Sequence, residues 1–385
     1  MKRALLIGFL ILMLGAVVIW LGRRGAERLS VEQAEMFAER EWNSAMSQLM
    51  DNYLPMWSDR CLKYGNYAMP FDVQIFGQEP ANGRSLYISM HGGGNVPANV
   101  NDQQWENQKH LYKPKEGVYI APRAAVDDWN MWFRPHIDTL FEMLIQCAVS
   151  QLNVNPNRVY LMGYSAGGDG TYRMAPRLAD HWAAASMMAG HVGEASPLNL
   201  RNIGYMVWMG EHDSAYNRNR LAVEYGKLMD SLQLADSNGY AHKTTIVEGC
   251  GHWMNRADTA AIDWLCQFER NPYPERIVWR QEDSNLRDWF YYLSIPEHEM
   301  AKGKELRVEY NGNTINIVKC DYGCFTIHLN DKMMNLSNPV IVKYNGNIIH
   351  DGMVYRSEAN IEQSIAKRMD KNYIFPAKIH IDLKE

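Results

Sequence analysis

The chain has 385 residues, 46% of them hydrophobic and 22% charged, the make-up of a protein that folds around cores and not of a disordered one. A net charge of −5, with no Lys/Arg cluster beyond the N-terminus, excludes the basic footprint that nucleic-acid binding requires. The length allows two globular units plus an extension.

Lys2 and Arg3 precede an uncharged stretch at 4–22, and Arg23 and Arg24 follow it. The stretch has the length of a membrane span, and no Ala-x-Ala cleavage pattern closes it. Residues 1–29 therefore read as a signal-anchor in preference to a cleaved signal peptide, and the chain is expected to be exported. Positive charges on both flanks leave its orientation open.

Ser30 can cap a helix in which Val31, Met36, Phe37, Trp42, Met46, Leu49 and Met50 recur at helical spacing. Residues 30–60 form a helical extension, either a spacer above the membrane or a helix packed on the next domain. Strands are predicted at 71–76 and 84–90. The second runs into His91-Gly92-Gly93-Gly94, where glycines let backbone N–H groups approach a substrate oxygen closely. A long loop is predicted over 95–108, a strand at 118–122 and a helix at 137–152.

The apolar run at 158–162 leads into Gly163-Tyr164-Ser165-Ala166-Gly167 and then a helix reaching Leu178. A serine between two glycines on a strand-to-helix turn is the pattern of a nucleophile elbow, with its hydroxyl standing clear of the sheet. Further strands at 183–188, 205–209 and 243–248 alternate with helical segments, which implies a mostly parallel sheet covered on both faces. The strand at 205–209 opens onto Gly210-Glu211-His212-Asp213, and the last onto Gly249-Cys250-Gly251-His252. All these loops lie at carboxyl ends of strands, where ligands bind in such sheets.

Ser165, Asp213 and His252 thus follow one another in the order Ser, Asp, His. Competing residues are Glu211 and Asp180 for the acid and His191 for the base, the last standing before the acid in sequence. Trp105, Trp129, Trp132, Tyr216 and Trp253 lie near strand ends as candidates for a pocket lining.

Near Asn271–Pro274 the pattern changes. Strands at 307–310, 314–318, 325–329 and 340–344 are punctuated by Asn311-Gly312 and Asn345-Gly346, which are hairpin turns. A helix at 359–369 and a strand at 378–383 complete a β-rich module. Among the six cysteines, Cys320 and Cys324 can face each other across a turn, and Cys250 and Cys266 flank His252 and the next helix. Cys147 reads as a buried apolar residue. No cysteine or histidine spacing suggests a metal site.

Residues 70–270 resemble the α/β-hydrolase superfamily, and within it the secreted enzymes similar to polyhydroxybutyrate depolymerases and feruloyl esterases. The likeness rests on Tyr164-Ser165-Ala166-Gly167-Gly168, the early His-Gly-Gly loop, Gly210 to Asp213, and Gly251-His252. It implies an α/β-hydrolase fold at 61–274, a mostly parallel sheet flanked by helices. The small β-rich accessory module at 275–385 and the N-terminal membrane or signal segment lie outside the resemblance. It also implies Ser165, Asp213 and His252 as a triad, and N–H groups of Gly93, Gly94 and Ala166 as the oxyanion hole. His91, Tyr164 and Trp253 are expected to line the substrate site. The expected substrate is a small or polymer-linked ester, which the resemblance does not narrow further, and neither a metal nor another cofactor is implied. Two alternatives remain at this stage. One is a serine peptidase resembling prolyl oligopeptidases, which usually carry a large domain ahead of the hydrolase. The other is a non-catalytic binding protein on the same scaffold, which would not require the three residues together.

Overall fold

Alternating side chains build one central sheet. Its strands are β1 (Cys61–Tyr64), β2 (Tyr67–Phe76), β3 (Arg84–Met90), β4 (Gly117–Pro122), β5 (Val154–Tyr164), β6 (Ala184–Met188), β7 (Gly204–Gly210) and β8 (His242–Val247). They lie in the order β1-β2-β4-β3-β5-β6-β7-β8. β1 and β2 pair antiparallel, as do β2 and β4, while every later neighbour is parallel. The computed structural model describes residues 28–283 and 285–383, so the anchor expected at 4–22 lies outside the described residues. Among those residues no helix is long and apolar enough to cross a membrane.

The two faces of the sheet bury different residues. Leu86, Ile88, Val159 and Leu161 face one core, while Tyr87, Tyr160, Met162 and Met188 face the other, as a period of two requires. Each fully buried aliphatic side chain contributes about 1.5–3 kcal/mol. Helices α3 (Pro135–Leu152), α4 (Ala166–Arg177) and α5 (Arg218–Ala235) supply the first core, through residues such as Leu140, Met174 and Met229. Trp105 of α2 (Ala98–Lys109) and Leu265 of α6 (Ala261–Leu265) join the second.

Helix α1 (Val31–Ser58) begins with a capping box between Ser30 and Gln33, two otherwise orphaned donors satisfied reciprocally. It packs on α3 and on α7 (Glu358–Arg368). Phe37 and Trp42 are buried with Ile361 and Ile365. Of the two roles open to this helix, packing is the one observed.

The region predicted as a loop at 95–108 contains α2, which corrects that expectation. The buried side chains of α2 are polar, Asn101 and Gln108, so no apolar stripe marks it. β1 was also missed, having only Leu62 buried.

Beyond residue 274, β9 (Arg276–Arg280), β12 (Glu305–Asn311), β13 (Thr314–Cys320), β15 (Val340–Tyr344) and β16 (Asn347–Gly352) form a five-stranded sheet in the order β16-β15-β13-β12-β9. β10 (Trp289–Phe290), β11 (Leu293–Ser294), β14 (Cys324–Leu329) and β17 (Ala377–Asp382) form a second sheet. Both Asn-Gly turns join antiparallel neighbours, but β13 and β15 pair parallel, so the region is not purely antiparallel. All six cysteines are free. Cys320 ends a strand of one sheet while Cys324 opens a strand of the other. The Sγ of Cys250 accepts from Asn255 Nδ2 at 3.4 Å and that of Cys266 donates to Asp263 O at 3.6 Å, so neither proposed pairing forms.

One apolar core runs without a break from Trp57 through the central sheet to Ile381. Buried charge crosses the same seam. Asp180 accepts from Arg368 Nη2 (2.5 Å) and from the Tyr291 N–H (3.2 Å), and pairs with His181 (3.0 Å). Arg270 donates to the Asp180 carbonyl (2.9 Å) and to Asp370 (2.6 Å). Burial alone would raise the Asp180 carboxyl; Arg368 and His181 more than offset this and hold it well below the ordinary carboxylate range. Asp180→Ala leaves Arg368 buried without its carboxylate and is expected to destabilise the protein by about 3–5 kcal/mol. Urea unfolding of the two proteins checks this, and a loss below about 1 kcal/mol would contradict it.

Two neutral histidines give the fold an acid limit. His91 is fully buried, and burial lowers it from 6.5 to about 4. His328 stacks on Trp289 with centroids 3.9 Å apart, and burial lowers it to about 3. Below pH 6.5 the unfolded chain binds two protons that the folded chain refuses. The corresponding stability is present in full above 6.5 and is lost as pH falls towards 4 and then 3. Each group adds a slope of about 1.4 kcal/mol per pH unit. His328→Gln should therefore flatten the fall in urea-unfolding free energy between pH 6 and 4.5 by about one proton. An unchanged slope would contradict the assignment.

Candidate active site

Ser165 sits where β5 passes into α4, with φ 57° and ψ −117°. A non-glycine residue there is strained and is held only by its surroundings. Those surroundings are tight: a β-carbon at Gly167 would lie 2.2 Å from the Met90 carbonyl oxygen, so only glycine lets the helix start this close to β3. The Ser165 N–H donates to Met188 O at 2.9 Å, fixing the turn to β6.

Asp213 and His252 are brought in by the loops after β7 and β8. These loops touch through their backbones. A β-carbon at Gly210 would lie 2.1 Å from the Gly251 carbonyl oxygen, and the His212 N–H donates to Cys250 O at 2.8 Å. The result is a continuous line. Ser165 Oγ is 2.9 Å from His252 Nε2, and His252 Nδ1 is 2.6 Å from Asp213 Oδ2. Asp213 is 4% exposed, so its charge is shielded from water. Its other oxygen faces Arg218 Nη1 at 3.6 Å.

The competing residues point elsewhere. Glu211 Oε2 accepts from the Gly249 N–H at 2.8 Å and shapes the histidine loop. Asp180 belongs to the buried cluster described above. His191 Nδ1 accepts from the Gly193 N–H at 3.0 Å, and the His191 backbone N–H donates to Asp169 Oδ1 at 2.6 Å. Burial raises the Asp169 carboxyl to about 6, partly offset by that N–H and by Arg218. Asp169 was not singled out in the sequence; its place in the first turn of α4, just after the serine, was the only signal.

The glycine loop after β3 lies against the serine: a β-carbon on Gly92 would be 3.1 Å from Ser165 Cβ. Its N–H groups differ. That of Gly94 donates to Asn101 Oδ1 at 2.9 Å, which removes it from the set expected to face an oxyanion. The N–H groups of Gly93 and Ala166 have no internal partner among the described residues. Asn101 is fixed in turn by Asp127 Oδ1 (2.7 Å), which Arg123 Nη2 also meets at 2.5 Å. Asn101 lies in the segment expected to be a loop at 95–108, and Arg123 and Asp127 follow β4.

His91 is a correction. Its Nε2 accepts from the Ala124 N–H (3.1 Å), Nδ1 donates to Gly92 O (2.6 Å), and Trp132 Nε1 donates to the His91 carbonyl (2.9 Å). Fully buried and with both nitrogens used, it holds the loop and does not reach substrate. Tyr164 is also mostly buried; its hydroxyl donates to His252 O at 2.9 Å, and its ring meets Trp253 edge-on at 5.7 Å. Trp253, Trp129 and Tyr216 are 50%, 64% and 75% exposed. Trp105 and Trp132 turn inward, Trp105 donating to Ala121 O at 2.8 Å. Away from this site, the His298, Glu299 and Cys324 ligand atoms come within 4.8 Å of one another, but Glu299 Oε2 already accepts from Lys304 Nζ (3.0 Å) and the Gly323 N–H (3.1 Å).

The strand order, with the serine turn after β5 and the acid and histidine loops after β7 and β8, defines a protein of α/β-hydrolase fold. No family model and no curated protein matches the chain. Among solved structures it is similar to a thermostable esterase, at 19% identity over 55% of this chain and 64% of that one, with a TM-score of 0.40. It is also similar to a ferulic acid esterase, at 16% identity over 54% of this chain and 95% of that one, TM-score 0.40. A third is the feruloyl esterase module from Clostridium thermocellum complexed with sinapinate, at 15% identity over 54% and 86%, TM-score 0.38. At these identities and TM-scores the likenesses carry no argument about this chain, and the fold rests on its own strand order and loops.

Proposed function

We propose that this protein is a serine hydrolase that cleaves a carboxylic ester through an acyl-enzyme. The observation that carries this reading is the hydrogen-bonded line from Ser165 Oγ through both nitrogens of His252 to Asp213 Oδ2, at 2.9 and 2.6 Å. A serine hydroxyl is too weakly acidic to attack a carbonyl unaided. His252 Nε2 takes its proton as Oγ bonds to the carbonyl carbon, and returns it to the alcohol when the ester C–O bond breaks. Asp213 holds the Nδ1–H tautomer and stabilises the imidazolium. Water then repeats the sequence on the acyl-enzyme.

The N–H groups of Gly93 and Ala166 would receive the oxyanion, with Asn101 fixing the loop through Gly94. Trp129, Tyr216 and Trp253 offer exposed aromatic surface to a small or polymer-linked acyl group. In this reading residues 61–274 perform the chemistry, and 275–385 contribute stability and substrate placement. Residues 30–60 are the helical extension, and 1–29 export the protein and hold it at a membrane through 4–22.

Turnover on a panel of p-nitrophenyl acyl esters, feruloyl esters, hydroxybutyrate oligomers and peptide amides tests the reaction class. Hydrolysis of esters without amide cleavage is expected. Amide cleavage by a folded protein that leaves every ester intact would overturn it.

A further inference from the structure

The described chain begins against one edge of the five-stranded sheet. The Arg28 guanidinium lies 3.7 Å from the centre of the Tyr355 ring, and the Leu29 N–H donates to Arg356 O at 3.1 Å. Tyr355 follows β16, the edge strand, which no further strand covers among the described residues. Along this edge Ile348, Ile349, Met353 and Tyr355 are 56%, 41%, 39% and 44% exposed. Single exposed apolar residues are ordinary on a soluble surface. Four within eight positions, on an edge strand and its extension, form a patch that water does not favour.

The sequence before Arg28 limits what can lie beside this patch. Gly22, the last residue of the uncharged stretch, is six peptide steps from Arg28. Six steps reach at most about 20 Å, whatever conformation they take. If residues 4–22 cross a bilayer, the backbone of Arg28, whose guanidinium lies on the Tyr355 ring, is tethered within that distance of the lipid headgroups. Arg23, Arg24 and Arg28 lie in the connecting chain, where cationic side chains favour anionic headgroups. Asp351 is exposed within the patch, which suits the boundary between headgroups and acyl chains and not the hydrocarbon interior.

We propose that the β16 edge, through Ile348, Ile349, Met353 and Tyr355, rests on the lipid surface of the membrane that anchors the chain, and so fixes the orientation of the hydrolase above it. The proposal rests on the reading of residues 4–22 as an anchor, and a membrane surface is the occupant that the short tether places within reach.

The test uses the full chain in liposomes of phosphatidylethanolamine and phosphatidylglycerol, with the photoreactive residue p-benzoylphenylalanine at position 348 or 353. A control carries it at 234, where Leu234 is 88% exposed on α5. Fluorophosphonate labelling in each preparation verifies that the fold is intact. After illumination, phospholipid adducts at 348 and 353 are expected to exceed those at 234 by at least tenfold, and Ile349→Asp should reduce them several-fold. Protein that floats with the liposomes but gives equal adducts at all three sites overturns the seating and leaves the anchor standing. Protein that fails to float overturns the anchor, and the seating with it. Crosslinks confined to a second copy, or to the chain's own residues 1–27, assign the patch to those occupants and overturn the lipid surface.

Discussion

Alanine in place of Ser165 is expected to lower kcat on a p-nitrophenyl ester by roughly 10⁶-fold, with the melting temperature within a few degrees of the parent. The size of the effect follows from how a triad works: the three side chains act as a unit, and losing the nucleophile costs about as much as losing all of them. Folding should survive because the serine hydroxyl contributes one partly exposed hydrogen bond, to His252 Nε2 at 2.9 Å. Alanine also meets the same φ of 57° with no larger side chain to place. Steady-state kinetics and calorimetry on the two proteins check this. Activity within tenfold of the parent would remove Ser165 from the mechanism.

The second large effect belongs to the acid. Asp213→Asn keeps the shape of the side chain but offers the His252 nitrogen an amide in place of a carboxylate. The wrong imidazole tautomer is then favoured, and kcat should fall by about 10⁴-fold. Glu211→Gln serves as the matched control, because Glu211 meets the Gly249 N–H and not the histidine. Its effect should stay within about tenfold. A large loss from Glu211→Gln beside a nearly silent Asp213→Asn would transfer the role to Glu211. Arg218, 3.6 Å from Asp213 Oδ1, also faces the carboxylate, so the asparagine variant removes a second, weaker contact that the control leaves intact.

Much of the site was legible because each functional residue follows an apolar strand that is itself easy to see. The runs ending at Met90, Met162, Met209 and Val247 are all short and apolar or alternating, and the chemistry sits in the glycine-rich turns behind them. The supports were less visible. Helix α2 carries Asn101, whose Oδ1 receives the Gly94 N–H, yet that helix buries polar side chains. Gln108 donates to Ser89 Oγ at 2.7 Å, a contact that hydrophobic periodicity does not register. His91 stood in a motif that suggested contact with substrate; its burial depends on Trp132 and Ala124, more than 30 positions away in sequence.

In the last 110 residues the two Asn-Gly turns were legible because a turn is a local matter. The division into two sheets and the parallel pairing of β13 with β15 were not, since they depend on which strands meet after long connections. The same holds for Asp180. Its partners Tyr291 and Arg368 come from the far side of the composition change at Asn271–Pro274, so the residue looked like an acid near a strand end. Its ion pairs place it instead in the seam that joins the central sheet to the C-terminal sheets.

Covalent trapping tests most directly whether Ser165 is a nucleophile activated by His252. The full-length protein is treated with a fluorophosphonate at pH 7.5, and the adduct is mapped by intact mass and peptide sequencing, alongside His252→Ala. One adduct per chain on Ser165, formed at least 10³-fold more slowly in His252→Ala, is the predicted result. No adduct on the folded protein, an adduct on another serine, or equal rates with and without His252 would contradict it.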